Sequence, residues 1–236
     1  MSLRTRNRCI AALALALATS PGSADAEDVL VTPIYAFRHA GAIVAVSNSD
    51  DWLGDSDQDQ TDQFGPFDFD RALSVTLPQA LSQGHAMQSS DISASSIHAD
   101  ATLSTSTRGT SGTAASVIGW NDFQVIFSVD APGAFTLLGN LEAAGEATCT
   151  FRLMRLVTED IDHFFTVAND SIALSITGTL PTGEYALIAQ IEGTTNVDLA
   201  DDASLEASGR FEFDFAVCAA TPIEDRSWGD LKQAFR

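Results

Sequence analysis

Residues Asp122–Asp130 read DFQVIFSVD, and Phe123, Val125, Phe127 and Val129 fall on every second position, with Gln124 and Ser128 between them. A repeat of two is the geometry of a β-strand with one face in a core, because successive side chains point to opposite sides of the pleat. Four further stretches repeat the pattern. EATCTFRLM (146–154) offers Ala147, Cys149, Phe151 and Leu153, and SIALSIT (171–177) offers Ile172, Leu174 and Ile176. EYALIAQIE (184–192) offers Tyr185, Leu187, Ala189 and Ile191, and RFEFDFAV (210–217) offers Phe211, Phe213, Phe215 and Val217. From these the inward-facing core is expected to include Phe123, Phe127, Phe151, Leu174, Leu187, Phe213 and Phe215.

Between the strands stand DAPG (130–133), EAAGE (142–146) and LPTGE (180–184), which supply the Pro and Gly that tight turns need. Many short strands with no helical period between them indicate an all-β chain, an antiparallel β-sandwich of jelly-roll type or a barrel. Upstream the pattern is looser. FDFDRALSVTL (67–77) reads as one or two strands. The Ser/Thr/Ala-rich run 85–113 fits either outer strands with small side chains or a linker. Ile92, Ile97 and Leu103 anchor it, so strands are expected from Ala86 to Thr107, with a loop around RGTSGT (108–113).

The chain opens with Arg4, Arg6 and Arg8, an apolar run from Cys9 to Ala18, and Ala24-Asp25-Ala26 before Glu27. This is the layout of a secretory signal peptide over residues 1–26, too short to span a bilayer. Residues 27–220 then form one β-sandwich domain, and 221–236 a tail. In that tail Ser227 is placed to cap a short helix presenting Trp228, Leu231 and Phe235 on one face. The expected location is therefore outside the cytoplasm: extracellular, cell-surface or periplasmic.

The net charge is −20, and Lys232 is the single lysine. Losing residues 1–26 removes three arginines for one aspartate and makes the remainder more acidic still. Without basic clusters the counterion-release term behind nucleic-acid binding has no source, so nucleic acid is excluded as a partner, and no apolar run is long enough for a membrane-spanning helix. Cys149 and Cys218 follow the signal, and an even count in an oxidising compartment suggests a disulfide. Parity argues the other way. Cys149 shares the face of Phe151, whereas Cys218 shares that of Glu212 and Asp214, which would leave two separate small side chains.

The order NDFQVIFSVDAPGAFTLLGNLEAAG (121–145), GTLPTGEYALIAQIEG (178–193) and SGRFEFDFAV (208–217) resembles a loose group of uncharacterised secreted bacterial β-sandwich proteins, many of which carry PEP-CTERM sorting tails. This chain lacks that tail: SWGDLKQAFR (227–236) is similar instead to a WGxxKxxxR ending found on assorted exported bacterial proteins. The resemblance implies secretion and a β-sandwich. It carries over no catalytic residue, because the group has no defined activity.

Chemistry is sparse. No G-x-S-x-G elbow occurs, and GTSGT (109–113) has the wrong spacing for one. His39, His85, His98 and His163 do not form the H-x-H or H-x-x-x-H groupings that gather imidazoles on zinc or iron. His98 and Asp100 would share a strand face, and Asp160, Asp162 and His163 are close in sequence; surface or internally satisfied histidines are the reading taken.

The one ligand-like cluster lies in DWLGDSDQDQTDQFGPFDFD (51–70). Asp55, Asp57 and Asp59 match positions 1, 3 and 5 of a calcium loop, but Gln60 and Pro66 stand where its Gly and bidentate Glu belong. The expectation is an exposed loop from Asp51 to Phe64 with mutually repelling acids. A weak calcium site of Asp55, Asp57, Asp59 and Asp62 is the alternative, and calcium is the one cofactor considered.

Two functions stay open on this sequence. One is a secreted, non-catalytic module for surface or matrix attachment that binds carbohydrate or another extracellular protein. The other is an extracellular hydrolase acting on polysaccharide. A flat Trp or Tyr platform would favour the first, and an acidic pocket with two carboxylates and flanking aromatics the second.

Overall fold

The computed structural model describes residues 31–158, 160–199 and 202–219. The signal segment 1–26 and the expected C-terminal helix within 221–236 lie outside the described residues. Twelve strands follow one another: β1 Val31–Asn48, β2 Trp52–Thr61, β3 Phe67–Leu77, β4 Ala80–Ile92, β5 Ser96–Gly109, β6 Thr113–Val129, β7 Gly133–Ala144, β8 Ala147–Arg155, β9 Asp160–Val167, β10 Asp170–Leu180, β11 Gly183–Val197 and β12 Ala203–Ala219. No helix occurs among the described residues.

The strands form two antiparallel sheets of six. Sheet A runs β2-β1-β6-β11-β8-β9, and sheet B runs β10-β7-β12-β5-β4-β3. Buried residues of both sheets join one hydrophobic cluster. Phe213 of sheet B lies edge to face with Phe123 and Phe151 of sheet A, each at a centroid distance of 5.4 Å. The expected core residues Phe123, Phe127, Phe151, Leu174, Leu187, Phe213 and Phe215 are all buried. Strands β4 and β5 occupy the Ser/Thr/Ala-rich run where strands were expected from Ala86 to Thr107, and Ile92, Ile97 and Leu103 are buried anchors there.

Turn chemistry follows the sequence. Gly145, in the turn between β7 and β8, has φ +67°, and a Cβ there would sit 2.1 Å from the Glu206 carbonyl oxygen, so only glycine fits. Its N–H donates to Asn169 Oδ1 at 2.7 Å, tying this turn to the connection between β9 and β10.

The structure corrects two expectations. The stretch Asp51–Phe64 is not a loop: Trp52–Thr61 is edge strand β2, paired in continuous register with β1. Each residue of an antiparallel pair shares a face with its opposite number. Asp55, Asp57 and Asp59 stand opposite Val44, Ala42 and Ala40, and so overhang the rim of the core. Asp57 Oδ2 accepts from Arg71 Nε of β3 at 3.1 Å, an ionic contact across the open edge between the sheets. Inward-pointing charge on an edge strand is one way proteins prevent strand-to-strand association, and it hid this strand from a hydrophobic-pattern reading.

Cys149 and Cys218 do not form the suspected disulfide. The Cys149 thiol lies in the core against the Arg210 carbonyl at 3.5 Å, and Cys218 stands eight residues further along the same strand, about 26 Å away at strand rise. Burial pushes the Cys149 thiol pKa up to about 12, which makes it a small inert core side chain.

Strand β1 was not legible either. Its inward positions are Ala36, Arg38, Ala40, Ala42, Val44 and Val46, while Ile34, Tyr35 and Ile43 face out, so hydrophobicity does not alternate with burial. Arg38 is fully buried. Its guanidinium donates to the Gly65 carbonyl at 2.5 Å, to the Gln63 carbonyl, and to Ser90 Oγ at 3.4 Å, and lies 5.4 Å over the Phe67 ring. It thereby pins the 62–66 connection that carries the chain from sheet A to sheet B. Desolvation lowers its pKa, partly opposed by the charge of Asp91.

Candidate functional site

Register alone assembles a patch on the outer face of sheet A. In one row Gln60, His39, Asp122 and Gln190 lie side by side on β2, β1, β6 and β11; in the next, Gln58, Gly41, Trp120 and Glu192; in the third, Ser56, Ile43, Ile118 and Thr194. Trp120 and Asp122 share the outward parity of Gln124, opposite to that of Phe123, so the strand that builds the core also carries the patch.

The first two rows are joined by hydrogen bonds. Trp120 Nε1–H donates to His39 Nε2 at 3.1 Å. Indole is a donor only, so His39 Nε2 is the acceptor and the imidazole proton sits on Nδ1, 3.6 Å from Asp122 Oδ2. Gln190 Nε2 donates to Asp122 Oδ1 at 3.0 Å. The His39 ring also packs between Phe37 and Trp120, at 5.9 and 5.4 Å.

Two indoles are seated on glycines. A Cβ at Gly41 would meet Trp120 Cζ2 at 2.7 Å, and one at Gly54 would meet Trp52 Cη2 at 2.6 Å. The six-membered half of each ring therefore occupies space that only glycine leaves open, and lies down on the sheet instead of standing up from it. Between the two lie Ile43 and Ile118, directly paired and 44% and 47% exposed, while Trp52 is 69% exposed. Gly54 pairs with Ala45, four residues from Gly41, so the platform is about 13 Å long.

The outer face of sheet B is different in kind. His98 Nδ1 lies 2.8 Å from Asp214 Oδ1, and His85 Nε2 lies 2.7 Å from Asp70 Oδ1. Arg210 bonds Asp100 at 3.3 Å and Glu212 at 2.7 Å. His98 and Asp100 do share a face, as their spacing implied, but each finds its partner on β12. Two shallow depressions of about 560 and 770 Å³ adjoin on this face, lined by small and polar residues such as Ser104, Ser208 and Gln83, with no Phe, Tyr or Trp. His163 rests on the Phe135 ring at 6.0 Å, and the side chains of Asp160 and Asp162 lie outside the described set.

The calcium candidates do not converge. On an extended strand Asp55, Asp57 and Asp59 run parallel, about 6.6 Å apart, and each engages its own partner. Asp55 accepts from Ser56 N, Asp59 from Gln60 N, Asp62 from Gln63 Nε2, and Asp57 from Arg71. Among the described residues no group of three or more His, Cys, Asp or Glu is placed to hold a metal ion.

Of the sheet A patch only His39 is singled out from sequence, as a surface or internally satisfied histidine. His39 and Trp120 are 81 positions apart, and only the β1–β6 register joins them. The one signal available was an aromatic residue, Trp120, on the solvent parity of an otherwise clear strand. No family model matches the chain, and no curated protein matches it.

Proposed function

We propose that this is an exported, non-catalytic binding module that holds an uncharged polysaccharide on the outer face of sheet A. The observation that carries the proposal is the pair of indoles, Trp120 and Trp52, laid on Gly41 and Gly54 with Ile43 and Ile118 between them. Contiguous exposed apolar surface rimmed by polar groups marks a binding surface. Flat aromatic rings suit the apolar C–H faces of sugar rings, and Gln58, Glu192 and Asp122 stand beside them to bond hydroxyls. The acidic patch and the net charge of −20 disfavour uronic-acid or sulfated polymers.

The jelly-roll sandwich belongs to the same proposal. From β5 onward the strands pair as a nested ribbon, β5 with β12, β6 with β11, β7 with β10 and β8 with β9, alternately in the two sheets. This nested order supports an eight-stranded jelly roll, with β1 to β4 added at one side. Export rests on the basic, apolar and Ala-x-Ala features of residues 1–26.

The test is a glycan array with neutral and anionic polysaccharides, followed by titration of wild type, Trp120→Ala and Trp52→Ala. The expected result is binding of neutral chains that weakens about tenfold or more in Trp120→Ala at unchanged melting temperature. Absence of neutral binders, or full binding by both variants, overturns the proposal. Release of new reducing ends would establish the hydrolase instead.

A further inference from the structure

We propose that His39 is a proton switch for the Trp120 platform: protonation turns Nε2 from acceptor to donor, breaks the Trp120 hydrogen bond, and unseats the indole in acid. The inference rests on the reading of this face as the binding site, and adds its regulation.

The geometry requires the inversion. Trp120 Nε1–H and His39 Nε2 are 3.1 Å apart, and an indole nitrogen has only a proton to offer. The bond therefore exists only while Nε2 carries a lone pair. An imidazolium has N–H on both nitrogens, so two donors would face each other across that distance. The protonated ring has better acceptors on either side. Nδ1–H keeps Asp122 Oδ2 at 3.6 Å, and Nε2–H finds Gln58 Oε1 at 3.4 Å. The indole N–H loses its acceptor on the imidazole, so the contact that holds Trp120 against His39 breaks.

Of the groups facing His39, Asp122 on β6 carries charge and so, one strand further, does Glu192 on β11; β2 presents Gln58 and Gln60, which do not. Histidine is the side chain whose charge ordinarily changes between pH 5 and 8. Freed from Nε2, the ring loses the restraint that lays it on Gly41, and a ring that must be re-ordered binds a sugar more weakly.

The experiment follows the indole N–H of Trp120 in ¹⁵N-labelled protein from pH 8 to pH 5, with the resonance assigned by its loss in Trp120→Phe. The expected result is a one-proton titration of that resonance in wild type and a flat line in His39→Gln, whose amide oxygen accepts at every pH. His85→Gln and His98→Gln should leave the curve in place. A flat line in wild type overturns the switch, as does a curve that persists in His39→Gln. Should His39→Gln not fold, the wild-type Trp120 curve must coincide with the titration of the His39 ring nitrogens, and failure to coincide overturns the proposal.

Affinity electrophoresis in hydroxyethylcellulose, a soluble neutral β-glucan, separates the switch from the binding reading. Retardation about tenfold stronger at pH 8 than at pH 5 in wild type, and independent of pH in His39→Gln, supports both. Equal retardation at both pH values with a titrating indole overturns the gating. A titrating indole with no retardation at either pH supports the switch and counts against polysaccharide binding alone.

Discussion

Phe123 meets Phe213 edge to face across the two sheets, with ring centroids 5.4 Å apart and planes at 77°. Each ring is fully buried, and Phe151 approaches Phe213 in the same manner at 74°. Phe213 is thus the ring on which both sheets close. Replacing it by alanine removes the apolar transfer energy and leaves a cavity, so Phe213→Ala should lose about 3–5 kcal/mol. Urea unfolding measures this, and a variant of wild-type stability would mean that the sheets do not share this contact.

Arg38 is a buried cation held chiefly by backbone carbonyls, those of Gln63 and Gly65. Arg38→Ala deprives both of a charged donor and empties the space under Phe67, so it should cost at least about 2 kcal/mol. The loss should be local as well as global. Amide exchange and proteolysis in the 62–66 connection should rise more than elsewhere, and a uniform rise would show that Arg38 does not act as the pin between the sheets.

The acids of β2 should act as edge protection. Replacing Asp55, Asp57 and Asp59 together by Thr leaves the pairing with β1 possible but removes inward charge from an exposed edge, so the variant should associate into larger species on size exclusion while wild type does not. Calcium at millimolar concentration, against chelator at equal ionic strength, should leave the wild-type melting temperature unchanged. A calcium-dependent rise that Asp57→Asn with Asp59→Asn abolishes would restore the metal-site reading.

The His98–Asp214 pair should make stability depend on pH. The Asp214 hydrogen bond raises the His98 pKa and, in return, the His98 contact lowers that of Asp214. A raised His98 contributes fully below the unfolded imidazole value of about 6.5, and its share is lost as pH rises through the folded value. A lowered Asp214 contributes above the unfolded carboxylate value of about 3.9, and its share is lost as pH falls through the folded value. The pair therefore contributes most between about pH 4 and 6.5. Both side chains are substantially exposed, so solvent screening keeps the effect below about 1 kcal/mol. The melting-temperature difference between wild type and His98→Gln should peak near pH 5 and fade toward pH 9; a difference that is constant with pH would show that the pair does not ionise as described.

The alternation of Phe123, Val125, Phe127 and Val129, and of Phe211, Phe213, Phe215 and Val217, determined by itself that this chain is all-β and which faces are buried, because a period of two has one geometric meaning and a wrong register would expose every phenylalanine at once. The Pro and Gly at 130–133, 142–146 and 180–184 likewise fixed where strands turn. Strand β1 escaped because alanines and Arg38 face inward while Ile34 and Ile43 face out, and β2 escaped because the burial of an edge strand is set by what overhangs it and not by its own composition. The patch of His39, Trp120, Asp122 and Gln190 was decided by tertiary structure alone. Its members come from three strands far apart in sequence, and only the hydrogen-bonded register between those strands puts an indole N–H within reach of an imidazole lone pair.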